Sequence, residues 1–160
     1  LFGLAMGCLV LMFVDFEVTA GKLMLIPWLF LLPATLQFIA GIFDFMRHNH
    51  FGGTAFLGYS MVWYGLAAVY WLEISFSDSP DLDILIPSDP LPARQHTAII
   101  FIGYLIFSVA LTIISLGINR ILLSILVSID YTFLVLIIHV FEHDACPPWV
   151  AGIGLVMVFL

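Results

Sequence analysis

Charge is what this sequence lacks. Only 9% of its 160 residues are charged, and lysine and arginine together number four. So few cations, under a formal net charge of −7, exclude nucleic acid as a partner, because phosphate binding needs Lys and Arg. With 63% hydrophobic residues and a mean hydropathy of +1.19, the chain has too little polar sequence to cover a water-soluble domain. Two cysteines, Cys8 and Cys146, make no disulfide framework and show no zinc-ligand spacing; Cys8 lies in an apolar run and reads as a small packing residue. The chain opens on Leu1 with neither a basic n-region nor a small-residue cleavage site, so the opening run is not read as a signal peptide. Polar–apolar alternation is missing as well. Residues 98–117 and 121–140 are apolar almost all round, which excludes barrel strands and leaves helices as the way to satisfy the backbone in lipid.

What is there is a series of apolar runs, each near the roughly 20 residues that cross a bilayer. They predict an all-α integral membrane protein, a bundle of six transmembrane helices in a single domain over residues 1–160. The expected spans are 1–18, 23–46, 51–72, 97–117, 121–141 and 147–160. The first is expected to continue upstream of Leu1. Pro27 suits an early turn of its helix, whereas Pro33 should kink the second span. Pro147 and Pro148 fit the first turn of the sixth. Residues 75–95 hold Asp78, Asp81, Asp83, Asp89 and four prolines, and read as a solvated loop. Arg47 and Arg120 fall on one side of a six-span arrangement, in short loops, so that side and both termini are expected to be cytoplasmic.

Polar residues at membrane depth face a cavity or a partner more often than lipid. Gln37, Asp44 and Asp130 are the candidates, with Asp44 also placed to end its helix at the interface beside Arg47. Gly3 and Gly7 form a GxxxG pair, a spacing that lets helix backbones approach closely, within or between subunits. Tyr59 and Trp63 share one face in mid-span, for packing or for a path, while Tyr70 and Trp71 read as an interfacial belt. His139, Glu142 and His143 match an H-x-x-E-H zinc-protease pattern, which makes a membrane metalloenzyme the rival reading. A catalytic zinc needs a third protein ligand, and neither Asp144 nor Cys146 has the usual distant spacing.

Two adjoining segments carry a family likeness. They are Gln37-Phe38-Ile39-Ala40-Gly41-Ile42-Phe43-Asp44-Phe45 and Asn49-His50-Phe51-Gly52-Gly53-Thr54-Ala55-Phe56-Leu57-Gly58-Tyr59-Ser60-Met61-Val62-Trp63. Together with the turn at 114–120, they resemble the acetate–succinate transporter family of bacterial and fungal permeases. The resemblance implies a ring-shaped homohexamer in the plasma (cytoplasmic) membrane. It further implies no enzymatic activity, no cofactor, and a narrow path in each protomer for acetate and related small monocarboxylates, succinate among them. Carried over by position, the hydrophobic constriction falls on Leu4, Tyr59 and Ile129. Leu4 replaces an aromatic, which implies a wider gate or one set by Phe2. The path is expected to include Gln37, Phe51, Gly52, Thr54, Trp63 and Asp130, with Tyr59, Thr54 and backbone N–H groups replacing the water a carboxylate loses. Asp130 departs from the uncharged residue usual in the family, and its negative charge opposes anion passage unless protonated. The family's N-P-x-P-L-G segment is expected before Leu1.

Overall fold

The computed structural model describes residues 2–15, 22–75 and 90–141, together with Val150, Ile153 and Val156. The helices are α1 (Phe2–Asp15), α2 (Leu25–Leu29), α3 (Leu36–Met46), α4 (His50–Ser75), α5 (Pro90–Ser115) and α6 (Arg120–Phe141). A 3₁₀ turn at Lys22–Met24 leads into α2, and a π-helical segment at Phe30–Thr35 joins α2 to α3. The described residues fall into two compact units, one carrying α1 to α4 and the other carrying α5 and α6.

Among the described residues, four helical stretches are long and apolar enough to cross a membrane: Leu25–Met46, His50–Leu72, Ala98–Ser115 and Arg120–His139. They match the second to fifth expected spans. In α1 the apolar stretch Phe2–Leu11 is shorter than a span, and most of the sixth lies outside the described residues. Only 28–33% of each crossing stretch is buried inside the protein, and the exposed remainder includes Phe43, Ile106, Ile113 and Ile121. Such a surface is stable in lipid and not in water. The chain is an integral, multi-pass membrane protein.

Pro33 perturbs its helix as expected, but by widening it. Proline lacks an N–H and its ring crowds the carbonyl one turn back, and here the helix takes π geometry over Phe30–Thr35. The Thr35 hydroxyl donates to the Phe30 carbonyl at 2.7 Å, satisfying an acceptor in the widened turn. Further on, α5 begins at Pro90, several residues before the expected start of its span. Pro90 and Pro92 sit in its first turn, where a missing N–H costs nothing, so part of the expected loop is helix.

In the first unit the helices meet through glycine. A Cβ on Gly3 would lie 2.8 Å from the Leu32 carbonyl oxygen, and one on Gly7 would lie 2.6 Å from Pro33 Cβ. The GxxxG pair therefore seats α1 on the widened turn of its own chain. In the second unit α5 packs on α6 through Phe101, Tyr104 and Phe133, with Tyr104 and Phe133 stacked at 6.0 Å between ring centroids. Val150 packs against Val135 of α6.

Candidate functional site

The site begins with a buried side chain that has nothing to bond. Gln37 lies near the middle of the span Leu25–Met46 and is 2% exposed, and neither its Nε2 nor its Oε1 has a hydrogen-bond partner. Leaving a buried amide unpaired costs about 1–3 kcal/mol, so such a group needs an explanation. An open cleft of about 310 Å³ adjoins the residue, lined by Phe2, Gly3, Leu36, Gln37 and Ala40, with the amide nitrogen and oxygen themselves buried behind its wall. Water takes up about 30 Å³ per molecule in the liquid, so a ligand of a few heavy atoms fits. Gly3, where α1 comes close to Leu32 and Leu36, forms part of the wall of this cleft.

The segment that carries the family likeness folds into the α3–α4 hairpin, and its small and polar residues are explained by that turn. The His48 N–H donates to the Phe45 carbonyl at 3.0 Å and the Asn49 N–H to the Asp44 carbonyl at 2.9 Å, closing α3 in a Schellman arrangement. His48 takes the required left-handed conformation, with φ 61°. Asn49 then serves both helices: its Oδ1 accepts from the Gly52 N–H at 3.1 Å, and its Nδ2 donates to Asp44 Oδ2 at 3.1 Å. A side chain at Gly52 would collide with that pair, while Gly41 packs against Leu57 and Gly53. Asp44 thus bonds Asn49 across the turn. This turn dictates the pattern locally, whatever else those residues do.

Asp130 lies near the middle of Arg120–His139 and is half-buried. Its Oδ2 accepts from the Thr112 hydroxyl at 2.7 Å and its Oδ1 from the Ser108 hydroxyl. These donors sit one turn apart on α5, so a single face of that helix holds the carboxylate. Residue pattern alone did not single them out, although Ser108 and Thr112 at i and i+4 in an apolar run were the available signal.

The other expected path residues are distributed as follows. Leu4, Tyr59 and Trp63 are buried in the first unit, and the Trp63 ring lies beside Gly7 together with the nearer Pro33. In the same unit Phe51 is half-buried at the start of α4, Thr54 is exposed and Gly52 lies under the Asp44–Asn49 pair. Ile129 is buried in the second unit, next to Asp130. The sequence reading missed Tyr64. Its hydroxyl lies 3.0 Å from that of Thr35, and its ring meets Phe30 edge-on at 5.0 Å, so it locks α4 to the widened turn. Of the zinc-protease pattern, His139 is in α6, while Glu142, His143 and Cys146 lie outside the described residues. Cys8 is buried in α1, as a packing residue should be.

The fold is similar to that of a protein described as the bacterial acetate channel SatP, with a TM-score of 0.78 and 19% sequence identity. That match covers 98% of this chain and 83% of the other. The chain is also 27% identical over 124 residues to the "Glyoxylate pathway regulator" of Yarrowia lipolytica (strain CLIB 122 / E 150). There it covers 77% of this chain but 43% of the relative, so the chain spans less than half the length of that protein. Residues 1–159 match one family throughout, and on that match the chain belongs to the GPR1/FUN34/yaaH family.

Proposed function

We propose that this protein is a transporter or channel, not an enzyme, that passes acetate and related small monocarboxylates, succinate among them, through each protomer of a homohexamer in the cytoplasmic membrane. The observation that carries the reading is the Gln37 amide, buried without a partner in a membrane span and next to an open cleft of about 310 Å³. Family membership and the likeness to an acetate channel support it. In this reading Gln37 replaces part of the hydration that a small acid loses at membrane depth, and apolar side chains control passage by dewetting. Leu4 and Tyr59 are the gate residues of the first unit, and the family resemblance adds Ile129 from the second. Phe51, Gly52, Thr54, Trp63 and Asp130 belong to the proposed path, Asp130 with its carboxyl group held by two hydroxyl groups.

Labelled acetate uptake into proteoliposomes tests the function. Flux should exceed that of protein-free vesicles, and equality between the two would overturn the proposal. The gate is tested by Tyr59→Ala, which should admit longer monocarboxylates while the protein still folds. If Tyr59 only packs between helices, the same change leaves selectivity alone and destabilises by about 3–5 kcal/mol. Mass measurement in mild detergent should give about six copies, in line with the family's ring; a monomer that still transports would remove the hexamer from the reading.

A further inference from the structure

Ser108 and Thr112 already hold a carboxyl group. Their hydroxyls stand one turn apart on α5 and take one oxygen each of Asp130, Ser108 on Oδ1 and Thr112 on Oδ2, the latter at 2.7 Å. Two donors spaced to meet both oxygens of one carboxyl group recognise that group as such, whatever carbon follows it. Ser108 is fully buried, whereas Asp130 and Thr112 each keep part of their surface. The seat therefore lies at the margin of the helix pair and is not sealed within it.

Its occupant has the chemistry of a small acid. Beyond its Cα, aspartate is a methylene and a carboxyl group, which is acetate joined to the backbone. Hydroxyl groups hold it, and the basic side chains of α6 are remote: Arg120 and His139 stand ten and nine residues away, roughly 13–15 Å along the helix. The contact can also open at low cost. The Thr112 hydroxyl has one hydrogen and two acceptors within reach, Asp130 Oδ2 and, at 3.0 Å, the Ser108 carbonyl one turn back. When the carboxyl group leaves, that hydroxyl turns onto the carbonyl and is not left unpaired.

We infer, resting on the reading of Asp130 as part of the acid's path, that Ser108 and Thr112 form a binding site for the carboxylate of a small acid, and that Asp130 is its resident occupant, which free acid must displace to bind. A tethered group competes at the high effective concentration that its link to the backbone gives, so the wild-type site is largely closed to free acid. Removing the tethered group should open it.

The test exchanges the tethered acid for a free one. Asp130→Gly removes the whole acetate-like group, and Asp130→Ala leaves its first carbon in place, so acetate is the probe for the first and formate for the second. Glycine is frequent in membrane helices, and both variants are expected to fold. Thermal unfolding of the full chain in detergent is followed at pH 7 against each anion, with chloride as the salt control. Acetate should raise the Tm of Asp130→Gly, and formate that of Asp130→Ala, at concentrations about tenfold or more below those that move wild type. Ser108→Ala together with Thr112→Val should abolish the response in either background. If Asp130→Gly yields no folded protein, Asp130→Ala with formate decides alone. No response in Asp130→Ala, an equal response in wild type, or a response that survives loss of both hydroxyls would each overturn the inference and leave Asp130 as a staple between α5 and α6. Labelled acetate uptake into vesicles separates the two levels. Protein-dependent uptake with both variants silent removes this inference and leaves the transport reading standing, and a response in the variants with no protein-dependent uptake does the reverse.

Discussion

In the first unit helices meet where side chains are missing; in the second they meet where hydroxyl groups surround a carboxylate. Gly3, Gly7, Gly41, Gly52 and Gly53 each leave room that a neighbouring backbone, ring or polar pair has filled. On the described helices of the second unit, Gly103 meets nothing within 4 Å, and Ser108 and Thr112 make a polar contact on Asp130. Both units are apolar throughout, so hydrophobicity cannot decide which helix faces meet, since lipid tails are as apolar as leucine. Close packing and interhelical hydrogen bonds must do it instead. The two units use one remedy each as the leading device, and that difference makes their responses to mutation predictable.

Overpacking the first unit should have the largest effect. Gly7→Leu places its Cβ against the Pro33 ring, which has no rotamer by which to withdraw, and should cost about 3 kcal/mol or more. Size-exclusion chromatography in detergent should show little folded protein; a normal monodisperse peak would mean α1 is not seated at Pro33. Next comes the polar clasp. Ser108→Ala combined with Thr112→Val strips two donors from Asp130 and should destabilise by about 2–3 kcal/mol, as expected for two lost hydrogen bonds to a half-buried carboxyl group. Adding Asp130→Asn to that variant should restore part of the loss in thermal unfolding. Equal Tm values with and without Asp130→Asn would show that the hydroxyls and the carboxylate do not act together. The smallest effect belongs to Gly103→Ala, at an open position in the middle of α5. Helix propensity alone favours alanine there by up to about 1 kcal/mol, so the Tm should hold or rise. A loss comparable to that of Gly7→Leu would abolish the contrast between the units.

The crossing helices were legible because span length and apolar content are one-dimensional properties: a run such as 121–141 cannot satisfy its backbone in lipid unless it is helical. The effect of Pro33 was legible in kind but not in form. A missing N–H is visible in the letters, whereas the widening to a π turn, with the Thr35 hydroxyl on the Phe30 carbonyl, is not. The start of α5 was misread because Pro90 and Pro92 suggest a loop by composition while suiting a helix by position.

For the candidate site, sequence by itself determined that the protein lives in a membrane, that Gln37 and Asp130 carry polar groups to membrane depth, and that residues 37–63 form a recognisable block. Tertiary structure decided what each of those groups has to bond. Gln37 and Asp130 look alike as isolated polar residues in apolar runs. One is left unpaired next to an open cleft, and the other is held by two hydroxyl groups. Gly52 could serve close approach to a ligand or to the protein's own turn, and the Asp44–Asn49 pair fills the space beside it. The physical reason is that hydrogen-bond satisfaction is a property of pairs. A residue's own letter fixes what it can donate or accept, and only the packing of a second helix fixes whether a partner stands within about 3 Å.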